Sequence, residues 1–310
     1  MFKYQFFMMK FVVCIFLFCN GIVLAQNENY VVENLSLNNE NPHFGLMRVA
    51  DAVIVTSFQL DKKGRVKRVQ GQPKLTIFQG EIKNSETIEN LSTVQIDPKA
   101  VVPQITSATL SRDGSLIYIT TVYTNKNKPN VRFKETNFHL EVGEFKAGVG
   151  FTNFKVLPFC KPRFSYAHPA LSPDGKTLFF TANIKGGKAT TKGGSDIFKV
   201  DILDGNTFSE PENLGSKVNS YGKEMFPFIA SDNTLYFSSN RPNGFGGYDL
   251  YKCKINEDST YEKAEKLEKP LNSVKDDLSL IMNANNTSGF LSSKRLGGKG
   301  DDDIYVFKMK

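Results

Sequence analysis

The dominant pattern along the chain is a set of short runs in which apolar and small polar residues alternate, as in LYFSSN at 235–240. That is the period of a strand with one face buried. Each run follows an apolar stretch, such as FPFIAS, and a tight turn, as in SRDG, SPDG or ASDN. Asp, Asn and Gly suit such turns because they tolerate positive φ and local side-chain hydrogen bonds. After the run come a Gly-rich loop, a third strand (DIF, DLY or DIY) and a turn such as DGNT or NEDST. A polar fourth segment, PENLGSKVN or AEKLEKPLN, completes the unit.

The unit repeats. Clear copies span His168–Ile202, Phe226–Ile255 and Asp277–Met309, and weaker ones span Phe44–Phe58 and Ile105–Tyr123. In this register Ile54, Tyr118, Phe179, Tyr236 and Phe290 are equivalent, at separations of 64, 61, 57 and 54 residues. Four antiparallel strands form one blade of a β-propeller, and blades must stack around an axis to bury both faces. The last copy stops after its third strand. YVVENLSLN, Tyr30–Asn38, resembles the fourth segments elsewhere. The sequence therefore predicts an all-β propeller of five four-stranded blades over residues 26–310, with the N-terminal strand closing the ring on the last blade. Six blades is the alternative, but it needs another copy, and 83–104 has room only for an outer strand and its connection.

Residues 1–25 read as a cleaved secretory signal. Lys3 and Lys10 precede the apolar run FVVCIFLF, and Val23 and Ala25 stand at the −3 and −1 positions of a cleavage site. The run is short for a membrane span. An uncleaved anchor and a lipoprotein at Cys19 are the alternatives, the second disfavoured by the bulky Phe18 before it. The mature chain is then expected to be periplasmic, outer-membrane-associated or secreted, and not integral to the membrane. Without an evident secretion domain after the repeats, the periplasm is favoured.

Composition is that of a globular protein, with 40% apolar and 23% charged residues and no Trp. The 24 Gly and 13 Pro argue against long helices. Cys160 and Cys253 remain after signal removal. Whether they pair is open from sequence, although small buried hydrophobes is the simpler reading. Charge is more informative. The loops between second and third strands, about 59–73, 123–136, 183–195, 240–248 and 294–303, hold 16 basic and five acidic residues. They emerge on one face. A basic face, with Lys62, Lys63, Arg65, Lys126, Arg132, Lys185, Arg241, Lys294 and Arg295, would attract and steer an acidic partner. An acidic protein surface is the first expectation and an anionic glycan or lipopolysaccharide the second. Nucleic acid is not expected outside the cytoplasm.

No catalytic constellation stands out, and the chain is expected not to be an enzyme. Sialidase-type Asp boxes need a Trp. Glycosidase chemistry needs two opposed carboxylates, but Asp51, Glu224 and Asp277 do not recur in a pattern that points inward. A hydrolase or lyase is the weakest of the three functional readings. His43, His139 and His168 lack metal-ligand spacing, although His43 and His168 both precede an inner strand. The paired glycines sit between strands rather than before a helix, which excludes a phosphate loop. Asp301–Asp303 lacks the alternating spacing of calcium loops, so calcium there is an open question. Asp303 recurs as Asp196 and Asp249, which suggests a structural group capping its glycine-rich loop. Asp174 and Gly175 mark the repeat's tight turn. No cofactor or metal is expected.

HPALSPDGKTLFF, PENLGSKVNSYGKEMFPFI, LYFSSNRPNGFGGYDLY and GKGDDDIY together resemble the WD-like β-propeller repeats of Bacteroidetes envelope proteins, TolB-like and often OmpA-associated. The resemblance covers Ser165–Met309 strongly and Tyr30–Lys155 weakly. It implies a part in envelope assembly, in some relatives type IX secretion or gliding, and a protein-interaction scaffold rather than an enzyme. The chain departs from the pattern in two ways. No OmpA-type domain follows the repeats, and Phe151, Phe208 and Tyr261 stand where a Trp often opens the fourth strand.

Overall fold

The computed structural model describes residues 30–69, 71–123, 137–187, 190–204 and 207–310. Within them the chain forms five antiparallel sheets arranged as a ring, with no helix. Blade 1 is Phe44–Val49, Ala52–Phe58, Leu75–Lys83 and Thr87–Thr93. Blade 2 is Ser107–Leu110, Leu116–Val122, Phe138–Lys146 and Gly150–Val156. Blade 3 is Tyr166–Leu171, Thr177–Ala182 and Asp196–Asp204, with short outer pieces Thr207–Phe208 and Glu212–Asn213. Blade 4 is Glu224–Ile229, Thr234–Ser239, Asp249–Lys254 and Glu265–Lys266. Blade 5 takes Asp277–Met282, Ser288–Ser293 and Asp303–Met309 from the C-terminus and Tyr30–Asn34 from the N-terminus. Tyr30 pairs with Met309 and Asn34 with Tyr305. The ring is thus closed by the N-terminal strand, as the orphan fourth segment predicts.

One detail differs from the sequence reading. The outer segments of blades 3 and 4 are mostly not strand, because only Thr207–Phe208 and Glu212–Asn213 in blade 3, and Glu265–Lys266 in blade 4, pair with the third strand. Beyond them each segment is fastened by a backbone bond, Leu214 N–H to Ile197 O at 3.2 Å and Leu267 N–H to Leu250 O at 2.9 Å, and by one buried side chain. Asn219 accepts the Ile197 N–H at 2.8 Å and donates to the Ile197 carbonyl at 2.9 Å. Asn272 does the same to Leu250, at 2.6 and 3.0 Å, and Asn38 to Ile304, at 2.9 and 2.7 Å. Each buried amide oxygen satisfies a third-strand N–H that would otherwise be orphaned, and its NH₂ adds a second donor to a carbonyl already bonded to the backbone. The N-terminal segment uses the same device as the internal ones.

The Gly-rich loops complete these latches. A Cβ on Gly193 would lie 2.1 Å from the Gly222 carbonyl oxygen, and one on Gly246 2.1 Å from that of Lys275. On Gly300 it would lie 2.7 Å from that of Asn41. Glycine is therefore what lets each loop pack directly on the linker into the next blade. Backbone bonds fasten the contact: Glu224 N–H to Ser195 O at 3.0 Å, Asp277 N–H to Tyr248 O at 2.9 Å, and His43 N–H to Asp302 O at 2.7 Å.

Around the axis, the second strands contribute one hydroxyl each from the same register: Thr56, Thr120, Thr181, Ser238 and Ser292, all buried. They tie inner strands together. Thr56 donates to the Thr106 carbonyl of blade 2 at 3.2 Å, and Thr120 accepts the His168 N–H of blade 3 at 3.0 Å. Inner strands of blades 1, 3 and 4 bulge here, with positive φ at Gly45, His168 and Phe226. For bulky His168 and Phe226 this conformation stores strain, about 1–3 kcal/mol each. Their rings meet at 3.8 Å between centroids, and Phe44 stands edge-on to Phe226 at 6.5 Å.

Candidate functional site: the loop face

Loops between second and third strands and linkers between blades share one face of the disc, because second strands end, and third and inner strands begin, on that side. The candidate basic residues behave very differently there. Lys126 and Arg132 lie outside the described residues. So does the expected signal segment. Arg241 and Arg295 are not offered to solvent. Arg241, 17% exposed, pairs with fully buried Glu224 at 3.2 Å and donates to Ser239 Oγ and the Val218 carbonyl. Arg295, 13% exposed, pairs with buried Asp277 at 2.9 Å and donates to Ser293 Oγ and the carbonyls of Pro270 and Leu271. Their guanidiniums also cover the rings of Tyr251 and Tyr305, at 4.4 and 4.9 Å. Both arginines bind an inner-strand acid to the previous linker. Lys294 pairs with Asp301 at 2.9 Å. Lys185 is exposed and donates to the loop carbonyls of Thr191 and Gly193.

Lys62, Lys63 and Arg65 belong to a different object. The described residues 59–69 and 71–74 form a hairpin, with Leu60 bridging Val66 and Arg68–Val69 pairing with Gln72–Pro73. It carries Lys62, Lys63, Arg65, Lys67, Arg68 and Lys74 against the lone acid Asp61. Asp61 holds the tip: its carboxylate accepts the backbone N–H groups of Lys63 and Arg65 at 2.7 and 3.0 Å and pairs with the Arg65 guanidinium at 2.8 Å. These bonds from Arg65 depress its pKa. Lys62, Lys63, Lys67 and Arg68 are exposed. Burial, and then the nearby charge of Lys67, lower the pKa of Lys74.

The carboxylates weighed for catalysis are all engaged or remote. Glu224 and Asp277 sit in their arginine pairs, and burial raises the pKa of Asp277 against the pull of Arg295. Asp51 is 95% exposed, 3.7 Å from Arg48. Asp196 accepts the Lys192 and Gly193 N–H groups at 2.7 and 3.2 Å, Asp249 those of Phe245 and Gly246 at 3.0 and 3.4 Å. Asp303 accepts those of Lys299 and Gly300. Asp174 accepts from Ser172 Oγ at 2.5 Å and Lys176 N at 3.1 Å, with Gly175 at φ +72°, in a turn on the opposite face. Between Asp301 and Asp303, Asp302 is only 5% exposed. Its Oδ1 has no hydrogen-bond partner. Burial foremost, with the neighbouring Asp301, Asp276 and Asp303, pushes its pKa up to about 6 while Lys294 opposes. Among the described residues no group of three or more His, Cys, Asp or Glu is arranged to hold a metal ion.

The histidines are separate. His43 lies at the ring-closing seam beside Asp303, where burial lowers its pKa. His139 is buried in blade 2, its Nε2 2.8 Å from Glu141 and its ring stacked on Tyr123. It occupies the register position of Asp196. His168 stands at the axis, and burial drives its pKa down to about 3. Cys160 and Cys253 are both free and buried, with pKa values raised by burial to about 12 and about 11.

No protein-family model and no curated protein sequence matches the chain. Solved structures do match over most of its length. A candidate TolB from Agrobacterium tumefaciens is 11% identical, covers 90% of each chain and has a TM-score of 0.46. A family-43 glycoside hydrolase is 10% identical, over 90% of this chain and 96% of the other, with a TM-score of 0.48. A puromycin-hydrolysing peptidase of Mycobacterium tuberculosis is 12% identical over 86% of this chain, with a TM-score of 0.46. This chain spans only 45% of that peptidase. These likenesses concern the propeller arrangement. They correct one expectation: that the chain is not an enzyme does not follow, because hydrolases stand among the structures with this arrangement. The physical reason is that the fold fixes a scaffold, while catalysis needs only a few residues placed on its loops.

Proposed function

We propose that the protein is an exported propeller of the cell envelope that serves as an interaction scaffold, docking an acidic partner protein on its loop face. The observation that carries the reading is the blade 1 hairpin. It carries six cations and one acid, and that acid is spent on bonds that hold the tip. Exposed charge of one sign raises encounter rates with an opposite surface and fixes orientation more than it adds affinity. The signal-like N-terminus and the resemblance to Bacteroidetes envelope propellers support the compartment.

The test is capture of envelope components by the mature protein after mild crosslinking, beside a variant carrying Lys62→Glu, Lys63→Glu, Lys67→Glu and Arg68→Glu. A discrete acidic partner, lost in the variant and weakened by salt, supports the reading. Co-purification of anionic glycan or lipopolysaccharide instead would replace the protein partner by a polyanion. No difference between the two proteins would refute it. Arg241 and Arg295 are unsuitable for such a variant, since reversing them disrupts buried pairs.

A further inference from the structure

Blades 3, 4 and 5 are latched to the following linker by Asn219, Asn272 and Asn38, but the linker that enters blade 3 is built otherwise. Residues 157–165 contain no such Asn. They fold as two turns, closed by Cys160 N–H to Leu157 O at 3.0 Å and Phe164 N–H to Lys161 O at 2.9 Å. The turns drive Phe159 inward, stacked on Phe180 at 5.1 Å and edge-on to Phe208 at 5.6 Å. Tyr166 fixes them, its hydroxyl accepting the Lys161 N–H at 3.1 Å and donating to the Phe159 carbonyl at 3.3 Å. Between this linker, the loop Ile184–Gly187 and the outer segment Glu210–Asn213 lies an open cleft of about 590 Å³.

The lining is chemically polarised. Phe159, Phe164, Tyr166 and Ile184 make the apolar floor. Lys161 and Arg163 stand exposed on one rim with no ion-pair partner among the described residues, the Arg163 guanidinium lying 4.7 Å over the Phe164 ring. On the other rim Glu212 is already drawn to Lys199 at 3.4 Å, leaving Glu210. Cations beside an aromatic floor favour a ligand with a negative head and a flat apolar body, and the volume is that of a small-molecule site.

We propose that this cleft binds a small amphipathic anion: a carboxylate, sulfonate or phosphate joined to a ring. The head lies against Lys161 and Arg163, the ring over Phe159, Phe164 and Ile184, and a donor group at the far end meets Glu210. The site is independent of the blade 1 hairpin.

The test is a fluorescence titration of the mature protein with anilinonaphthalene sulfonate, an aromatic anion, and with uncharged phenylnaphthylamine as its neutral counterpart. The expected result is saturable binding of one sulfonate probe per protein, with weaker binding of the neutral one. Lys161→Ala with Arg163→Ala should weaken the sulfonate about tenfold, as loss of two charge contacts implies, without lowering the melting temperature, since both side chains are exposed. The hairpin charge-reversal variant should bind the probe like the parent, which separates this site from the docking reading. Absent saturation, equal affinity for the neutral probe, or unchanged affinity in the double alanine variant would overturn the proposal.

Discussion

Replacing Asn38 by alanine tests how the ring is held shut. The side chain is buried and makes two bonds to one residue of the opposite chain end, Ile304, at 2.9 and 2.7 Å. Alanine removes both and leaves the Ile304 N–H buried without a partner, while the Ile304 carbonyl keeps the Leu35 N–H at 3.1 Å. One unsatisfied buried group costs about 1–3 kcal/mol, which sets the expected loss. Asn272→Ala removes the same pair of bonds from Leu250 inside the chain and serves as the matched control. For a domain of this size each kcal/mol shifts the melting temperature by about 2 °C, giving a fall of about 2–6 °C for either variant. Thermal unfolding followed by far-UV circular dichroism reads this directly. A change below about 0.5 kcal/mol for Asn38→Ala, beside a large one for Asn272→Ala, would mean that the N-terminal segment is not docked as an equivalent latch, and the closure argument would fail.

Other consequences follow from the same geometry. Arg295→Ala leaves Asp277 buried and unpaired and should cost about 3–5 kcal/mol, whereas Lys62→Glu with Lys63→Glu should shift stability by less than about 0.5 kcal/mol; denaturant melts compare the two. Asp302, whose folded pKa of about 6 lies above the ordinary 3.8, contributes stability that is full below its ordinary pKa and lost as pH rises through about 6. The stability difference between parent and Asp302→Asn should therefore change between pH 4 and pH 7, and a pH-independent difference would contradict the buried carboxylate. Gly246→Ala places a methyl 2.1 Å from the Lys275 carbonyl oxygen and should destabilise strongly, while Gly64→Ala, with open space and only a positive φ, should cost about 1 kcal/mol.

Much of this fold is written in the sequence because its repeat is physical: turn residues at SPDG and ASDN, strand alternation after them, and a polar fourth segment. Matching YVVENLSLN to PENLGSKVN was enough to predict closure. The recurring Asn that ends each of these segments was the available sign of the latch, yet polar residues in a polar stretch read as solvated. Arg241 and Arg295 illustrate the converse. They fall in loops by position, and charge counting assigns them to the surface. Their shared setting, after Ser-Asn or Ser-Lys and 17 or 18 residues beyond Glu224 or Asp277, was the clue to a buried pair. The left-handed conformations at His168 and Phe226 left no such trace, since the neighbouring inner strands impose them. Nor did the cleft beside Phe159, where the linker folds as two turns in place of the Asn latch that follows blades 3, 4 and 5.

The most direct test of the scaffold reading is a photo-crosslinking residue placed at Lys63 in the native envelope, compared with one at Glu257, which is exposed on the opposite face of the disc. The account predicts a discrete crosslinked acidic protein from Lys63, abolished by reversing Lys62, Lys67 and Arg68, and none from Glu257. Equal crosslinking from both positions, or none from Lys63, would contradict it.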